Sequence, residues 1–173
     1  MPRSQPRSLA AFLCALALST AATAAAPRLG GDSRLPVPRY ESIATPEAFG
    51  RRGPGKDHRI DWVYHARGLP VRVIEEAESW RKVRDPGGDE VWIHASRLSP
   101  NRTVYVKDAE APGLVLRTAP RPESKPVAYL QRGVVATLNE CLGGWRKVTA
   151  HGDATGWVPA EALWGGDDCT LPR

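Results

Sequence analysis

The side chain best suited to covalent chemistry is that of Cys141, because its thiol would act as a nucleophile if a base activated it. Such a thiol needs a histidine within hydrogen-bond reach, and a third group must orient that histidine. His151 would lie across a hairpin from Cys141 at best, and no segment is left over for a catalytic domain. We therefore predict that the protein is not an enzyme, with a catalytic thiol at Cys141 as the alternative.

The histidines are the other candidates for chemistry, because imidazole is a common metal ligand. The chain has four of them, His58, His65, His94 and His151. They lack the paired spacing of a metal site, and the sequence contains no His-Glu-x-x-His motif. We therefore predict neither a metal ion nor any other cofactor.

The first 26 residues follow the charged, apolar and small-residue order of a secretory signal peptide. Residues 1–7 carry two arginines and no acid, Leu9–Leu18 is apolar, and Ser19–Ala26 is a tract of small residues. The apolar run is shorter than the roughly 20 residues that span a bilayer. We place the cleavage site between Ala24 and Ala26, and we expect a periplasmic or secreted protein with no transmembrane segment after cleavage.

Two cysteines, Cys141 and Cys169, remain after this cleavage. In an oxidising compartment, an even number of cysteines favours a disulfide. A bridge between these two residues would close a loop of about 28 residues, which would contribute about 3 kcal/mol. We take this disulfide as a hypothesis, beside the catalytic thiol.

The charge of the chain is mildly basic. The formal net charge is +5, and removal of Arg3 and Arg7 leaves 22 basic against 19 acidic residues, or +3. The basic residues are scattered rather than clustered, so the composition predicts no nucleic-acid partner. Weak attraction to anionic polymers of a cell envelope is compatible with this charge.

An internal repeat dominates the rest of the chain. The segment from Tyr64 to Leu98 aligns without a gap with the segment from Tyr129 to Leu163, and twelve of the aligned positions are identical. Composition alone would give roughly two or three. The aromatic identities are Tyr64/Tyr129, Trp80/Trp145 and Trp92/Trp157. Upstream of these segments, Arg51 aligns with Arg117, and we place a one-residue gap in the loop that follows each of them.

Each copy shows short apolar runs separated by glycine and proline turns, and neither shows helical periodicity over three turns. Val134 to Leu138 and Trp145 to Thr149 are predicted strands, separated by Gly143-Gly144. Strands of this length at short spacing indicate a small all-β barrel. Each copy carries three tryptophans, and we expect most of them to be core or barrel-closing residues: Trp62, Trp80, Trp92, Trp145, Trp157 and Trp164.

The ordered motifs of the two copies resemble the bacterial SH3-like (SH3b) domain family. The motifs in the first copy are Gly68, Trp80-Arg81-Lys82-Val83, Gly87-Gly88, Val91-Trp92-Ile93 and Leu98, and those in the second are Gly133, Trp145-Arg146-Lys147-Val148, Gly152, Gly156-Trp157-Val158 and Leu163. The resemblance implies an all-β chain with two tandem small SH3-like β-barrels after a signal peptide. It is similar to small exported proteins of Gram-negative bacteria that carry two such domains.

The resemblance also suggests how the chain is divided. The predicted organisation is a signal peptide at 1–26, a linker at 27–40, a first domain at 41–106, a linker at 107–112, a second domain at 113–166 and a tail at 167–173. The first strand of the first domain is placed at Ala48-Phe49-Gly50, and Thr103–Val106 is taken as a strand that could close the first barrel. The second barrel would then close differently, pinned by a Cys141–Cys169 bridge.

The resemblance implies a binding or scaffold protein of the bacterial cell envelope, with peptidoglycan or envelope proteins as partners. An aromatic groove between the long first loop and a hairpin would hold an extended ligand. The candidate ligand-binding residues are Tyr64, Trp80, Trp92, Tyr129, Trp145 and Trp157, with Arg51 and Arg117 as partners for a ligand carboxylate or as structural salt bridges.

Two alternative functions stay open at this stage. Domains of this family often accompany cell-wall hydrolases, so one alternative is a hydrolase-associated or catalytic protein that uses Cys141. The other is a purely structural spacer or oligomer subunit, which the short link from Lys107 to Pro112 favours because it would keep the two domains close together.

Overall fold

The computed structural model describes residues 28–150 and 153–169. The predicted signal peptide, its cleavage site and His151 lie outside this part of the chain. The described residues form a short two-stranded hairpin and two seven-stranded antiparallel sheets. Among these residues, no helix is long and apolar enough to cross a membrane.

The first sheet follows an N-terminal hairpin of β1 (Arg28–Leu29) and β2 (Pro36–Val37). Its strands are β3 (Arg39–Ile43), β4 (Ala48–Arg51), β5 (Ile60–Tyr64), β6 (Pro70–Ala77), β7 (Trp80–Arg84), β8 (Glu90–His94) and β9 (Leu98–Ser99). A single 3-10 turn at Ala95–Arg97 separates the last two. The strand order across the sheet is β5-β4-β8-β7-β6-β3-β9.

The second sheet repeats this topology strand for strand. Its strands are β10 (Thr103–Val106), β11 (Leu114–Arg117), β12 (Pro126–Leu130), β13 (Val135–Leu142), β14 (Trp145–Ala150), β15 (Thr155–Pro159) and β16 (Leu163–Trp164). A 3-10 turn at Ala160–Ala162 again precedes the last strand. The order β12-β11-β15-β14-β13-β10-β16 matches that of the first sheet position by position, so the all-β tandem architecture is confirmed.

Each sheet curls around its own apolar core, as the alternation of side chains along a strand requires. The fully buried residues of the first core include Val71, Val73, Val83 and Ile93. In the second, Val104, Val106, Leu116, Val148 and Val158 are fully buried. Neither cluster of core residues contains a tryptophan, although Trp80, Trp92 and Trp157 are buried outside them. The tryptophans therefore cover the sheets and do not build the two cores.

The strand Thr103–Val106 does not close the first barrel. It pairs with β13 through Val104↔Ala136 and with β16 through Val106↔Leu163, which makes it the first strand of the second sheet. The predicted linker at 107–112 is therefore a loop inside the second domain, between β10 and β11, and does not connect the two domains. The first strand of the first sheet is correspondingly β3, and Ala48-Phe49-Gly50 belongs to the second strand, β4. The reason is burial, because Val104 and Val106 both point into the second core.

The strand register also changes the position of the one-residue gap in the alignment of the two copies. Arg51 pairs with Ile60 and Ala48 with Tyr64, whereas Arg117 pairs with Pro126 and Leu114 with Leu130. The β4–β5 pair and the β11–β12 pair therefore have the same register. The one-residue difference between the copies falls in the turn that follows β5 and β12. Tyr64 is equivalent to the buried Leu130 and not to Tyr129, so that identity in the ungapped alignment is coincidental.

The segment predicted to be a linker, 27–40, is folded in the part that the structure describes. Its hairpin packs on β6, where the side chain of Glu76 is completely buried. The Glu76 carboxylate accepts hydrogen bonds from Ser33 Oγ at 2.7 Å and Ser33 N at 2.9 Å, and it pairs with Arg39 Nη2 at 2.7 Å and Arg81 Nε at 3.3 Å. Val37 also joins the first core.

The second domain uses the equivalent position to hold a segment at its other end. In the ungapped alignment Glu76 corresponds to Cys141, which forms a disulfide with Cys169. Arg81 likewise corresponds to Arg146, whose Nε donates to Gly166 O at 2.6 Å. One site on the sheet therefore anchors the N-terminal hairpin through charge in the first domain and the residues after β16 through a covalent bond in the second.

The two domains are in direct contact. The ring of Tyr40 on β3 packs edge-to-face against Trp164 on β16, with 5.9 Å between centroids. Arg102 lies between the domains, where its Cζ is 5.3 Å from the Tyr40 centroid and its Nη2 donates to Gly165 O at 3.0 Å and Asp168 O at 2.8 Å. Thr103 Oγ1 donates to Gly68 O at 2.6 Å. Contacts of both apolar and polar kinds thus connect the two sheets.

Replacement of both bridged cysteines in the double variant Cys141→Ser/Cys169→Ser should lower the free energy of unfolding of the second domain. A closed loop of this length contributes about 3 kcal/mol by restricting the unfolded chain. Urea unfolding of the variant and of the unreduced wild type measures the difference. Equal stability, or two titratable thiols in the unreduced protein, would show that the bridge does not form in solution.

The variant Glu76→Gln should be less stable at neutral pH, and its deficit should shrink in acid. Burial alone would raise the pKa of Glu76, but the hydrogen bonds from Ser33 and the charge of Arg39 lower it from 4.5 to about 2. The ionised carboxylate therefore contributes about 3 kcal/mol above pH 4.5. This contribution disappears as the pH falls through the folded-state pKa.

Urea unfolding at pH 7 and pH 2.5 measures this dependence, and Glu75→Gln is the matched control because Glu75 is its neighbour on the same strand. A pH-independent deficit for Glu76→Gln would contradict an ionic role for the carboxylate.

Candidate functional site

Both candidate arginines support the long loop that follows their strand. Arg51 Nη1 donates to Lys56 O at 2.9 Å and to His58 O at 2.7 Å. Arg117 Nη1 makes the equivalent hydrogen bond to Ser124 O at 2.8 Å. These guanidinium groups bind backbone carbonyls instead of forming the structural salt bridges that were considered, and they fix the shape of one wall of a groove.

Tyr64 has a structural role. Its hydroxyl donates to Asp85 Oδ2 at 3.0 Å, and Asp85 Oδ1 accepts from the backbone N–H groups of Gly87 and Asp89. Burial, followed by the charge of Asp85, raises the pKa of the Tyr64 hydroxyl above its ordinary range. The buried pair therefore fixes the β7–β8 hairpin and leaves Tyr64 unavailable to a ligand.

The tryptophans lie mainly on the outer face of the strands. Trp92 is opposite Arg51 and Lys82 in the strand register and is buried. Its equivalent Trp157 is also buried, with Lys147 Nζ 5.9 Å from the ring centroid. Long cationic side chains thus border both rings, which is a common use of their apolar stems.

Trp80 is the candidate aromatic residue that lines a cleft. It packs edge-to-face against His94, its register partner on β8, with 5.2 Å between ring centroids. Phe49, which is 41% exposed, and Arg51 project from the same face of β4, because residues two apart on a strand share a face. The opposite face of β4 is pressed into the core at Gly50, where a Cβ would lie 2.7 Å from Val91 Cγ2.

These side chains form a cleft of about 320 Å³ on the first domain, which we call the first-domain cleft. Its lining residues are Phe49, Arg51, Lys56, Trp80, His94, Ser96 and Arg97. Lys56 lies on the long loop after β4, and Arg97 lies on the 3-10 turn after β8, so two exposed cations face the cleft from separate segments. None of the lining residues is acidic, and the cleft therefore suits a ligand with an apolar group and a carboxylate.

Sequence reasoning predicted Arg51 and Trp80 and missed the other five lining residues, which are Phe49, Lys56, His94, Ser96 and Arg97. Phe49 is one of only two phenylalanines in the chain, and its exposure follows from the alternation around Gly50. Arg97 lies on the short turn before the closing leucine, where the sequence pattern gives no sign of its direction. Trp62, expected in the core, is 49% exposed on the edge strand β5.

The equivalent surface of the second domain is chemically different. Pro159, Glu161 and Ala162 replace His94, Ser96 and Arg97, and Val115 replaces Phe49. Trp145 is half-buried, and Tyr129 is 51% exposed. The structure therefore brings Arg51 and Trp80 together in one cleft. The residues predicted as the equivalent set of the second domain lie on a surface that lacks the two exposed cations of this cleft.

The alternative of a catalytic thiol at Cys141 has no support in the described structure, where this sulfur is bonded to Cys169. Its proposed base, His151, lies outside the described residues. Within residues 28–150 and 153–169, no group of three or more His, Cys, Asp or Glu side chains is arranged to hold a metal ion.

The Bacterial SH3 domain family matches residues 44–100 and 110–165. The search of curated proteins found no match. The solved structures that are similar to part of this chain include NlpC2 and NlpC1 from Trichomonas vaginalis.

The likeness to these structures is limited. NlpC2 is 16% identical over 74% of this chain with a TM-score of 0.32, and NlpC1 is 17% identical over 78% with a TM-score of 0.34. The match covers 48% of either NlpC chain, so it extends over about half their length. The two family matches cover most of this chain and repeat in tandem, and by them the chain belongs to the bacterial SH3 domain family.

Proposed function

We propose that this chain is an exported, non-catalytic binding protein of the bacterial envelope whose first-domain cleft holds carboxylate-bearing peptides of peptidoglycan. Bacterial SH3 domains are binding modules. The observation that carries the proposal is the position of Phe49 and Trp80 beside Lys56 and Arg97 in a cleft without an acidic lining residue.

The apolar part of the cleft would supply most of the contact area. Phe49 is exposed to solvent and Trp80 is almost fully buried, so a ligand would cover one ring while the other forms a fixed floor. Aromatic side chains give large contact areas and have few rotatable bonds, so little conformational entropy is lost when a ligand orders them. An extended peptide with a small apolar side chain would fit this surface.

The charged part of the cleft would select carboxylates. Lys56 and Arg97 are exposed, and the hydrogen bonds of Arg51 to the loop carbonyls hold the loop that carries Lys56. A guanidinium matches a carboxylate with two parallel hydrogen bonds. The stem peptides of peptidoglycan carry free carboxylates, and an acidic segment of an envelope protein would present the same group.

The location of the protein is part of the proposal. The order of charged, apolar and small residues in 1–26 supports export, which would bring the chain to the periplasm or beyond. The Cys141–Cys169 disulfide supports an oxidising compartment.

The contacts between the domains favour a second role as a spacer. Arg102 binds the carbonyls of Gly165 and Asp168, and Tyr40 packs on Trp164 across the junction. Such contacts would hold the second domain in a fixed orientation as a support for the first. This role is compatible with ligand binding at the first-domain cleft.

The variants Phe49→Ala and Arg97→Glu should each bind purified peptidoglycan at least about tenfold more weakly than the mature wild-type protein. Loss of a ring that a ligand buries costs about 1.5–3 kcal/mol, and tenfold corresponds to about 1.4 kcal/mol. Cosedimentation with purified peptidoglycan gives the bound fraction over a concentration series. Tyr129→Ala, which removes an exposed ring from the second domain, is the matched control and should bind as the wild type does.

Circular dichroism melts would show whether each variant keeps its fold. If the intact protein fails to sediment with peptidoglycan, wall binding is excluded. If Phe49→Ala, Arg97→Glu and Tyr129→Ala all bind like the wild type, the first-domain cleft is not the binding site.

A further inference from the structure

A second cleft lies at the junction of the two domains and has a different chemical character. It has a volume of about 460 Å³, and we call it the junction cleft. Its charged and aromatic lining residues are Tyr40, Arg72, Lys107, Glu161, Trp164 and Asp167. Both domains contribute to it, and ligand sites occur preferentially at such interfaces between domains.

Two opposite charges face this cleft without neutralising each other. Lys107 and Glu161 are both exposed, and no salt bridge joins them in the described structure. Lys107 Nζ has a loose contact of 3.9 Å with the carboxylate of its neighbour Asp108. The backbone holds the two segments together, because Lys107 N donates to Ala162 O at 3.1 Å.

The repeat shows that the fold does not require these charges. In the first domain Ala44 N donates to Arg97 O at 2.8 Å, which is the equivalent of the Lys107–Ala162 hydrogen bond. Ala44 and Ser96 thus occupy the positions of Lys107 and Glu161. Since the first domain forms the same sheet without the charged pair, folding does not explain why the second domain carries it.

The other lining residues would give the cleft a firm floor. Tyr40 and Trp164 pack edge-to-face, and Arg72 Cζ lies 5.7 Å from the Tyr40 centroid. Burial, followed by the interaction with Asp167, raises the pKa of the Tyr40 hydroxyl above its ordinary range. Arg72 and Asp167 also line the cleft, but Lys107 and Glu161 form the charged pair that the first domain lacks at the equivalent positions.

We propose that the junction cleft binds a short peptide with a free ammonium group and a free carboxylate, the carboxylate on Lys107 and the ammonium on Glu161. A zwitterion satisfies two opposite charges that do not pair with each other, whereas a ligand with one charge leaves the other uncompensated. This site is independent of the first-domain cleft.

A titration with alanyl-alanine, followed by amide chemical shifts of the mature protein in NMR spectra, tests the proposal. N-acetyl-alanyl-alanine lacks the ammonium group, and alanyl-alanine amide lacks the carboxylate, so each blocked probe should bind at least about tenfold more weakly. The variants Lys107→Gln and Glu161→Gln should weaken the unblocked dipeptide by a similar factor. Glu123→Gln, an exposed change on a distant loop, is the control and should leave binding unchanged.

The expected result is a saturating shift of residues around Trp164 and Gly165, in a range of about millimolar for a ligand of this size. Equal binding of the blocked and unblocked dipeptides would overturn the proposal, as would unchanged binding in Glu161→Gln or no shift at about 20 mM dipeptide. Shifts around Phe49 and Ser96 report binding at the first-domain cleft, whereas shifts around Trp164 and Gly165 report the junction cleft, so a failure here is distinguishable from a failure of peptidoglycan binding.

Discussion

Each domain buries one guanidinium group whose N–H donors must be paired. Segments outside the sheet supply some of the groups that pair with them. Arg81 and Arg146 point inward from equivalent strands, and each donates to two carbonyls of the adjacent hairpin turn. A guanidinium has five N–H donors, and leaving them unpaired in the interior is costly. In the first domain Arg81 Nε pairs with Glu76 at 3.3 Å and Nη2 with Asp32 of the N-terminal hairpin at 3.6 Å, whereas in the second Gly166 supplies a carbonyl beside the disulfide. Neither sheet is therefore a complete unit without the segment that packs on it.

The same strand that buries the arginine presents the binding surface. Because side chains alternate along β7, the inward position of Arg81 directs Trp80 to the outer face, beside His94. The second domain places Trp145 in the same way, yet Pro159 replaces the histidine there. The shared features of the repeat are thus those that form the sheet and its turns. The features that distinguish a binding surface lie at positions where the copies differ, such as Phe49 and Lys107.

The sequence predicted the elements that depend on local patterns. Glycine turns, β-branched runs and the tandem Trp-Arg-Lys-Val motifs were sufficient for the all-β class and the duplication. They were insufficient for β3, because its polar residues Arg39 and Glu41 hide the strand, which becomes apparent only through pairing with β6. Tyr64 and Tyr129 were matched by identity, but their equivalence depends on the strand register, which long-range pairing determines. Phe49 was overlooked because exposure of a large apolar residue cannot be inferred without knowing which face of the strand is covered.

The connection between the two sheets is short, since β9 ends at Ser99 and β10 begins at Thr103. With Arg102 bound on both sides of this connection, the first-domain cleft and the junction cleft are held at one separation. A flexible linker would let the two sites bind ligands of many lengths. The effective concentration of the second site would fall as the linker became longer. At a fixed separation, a ligand occupies both clefts at once only when its two binding groups are that distance apart. Avidity would then depend on the spacing of those groups as well as on their chemistry.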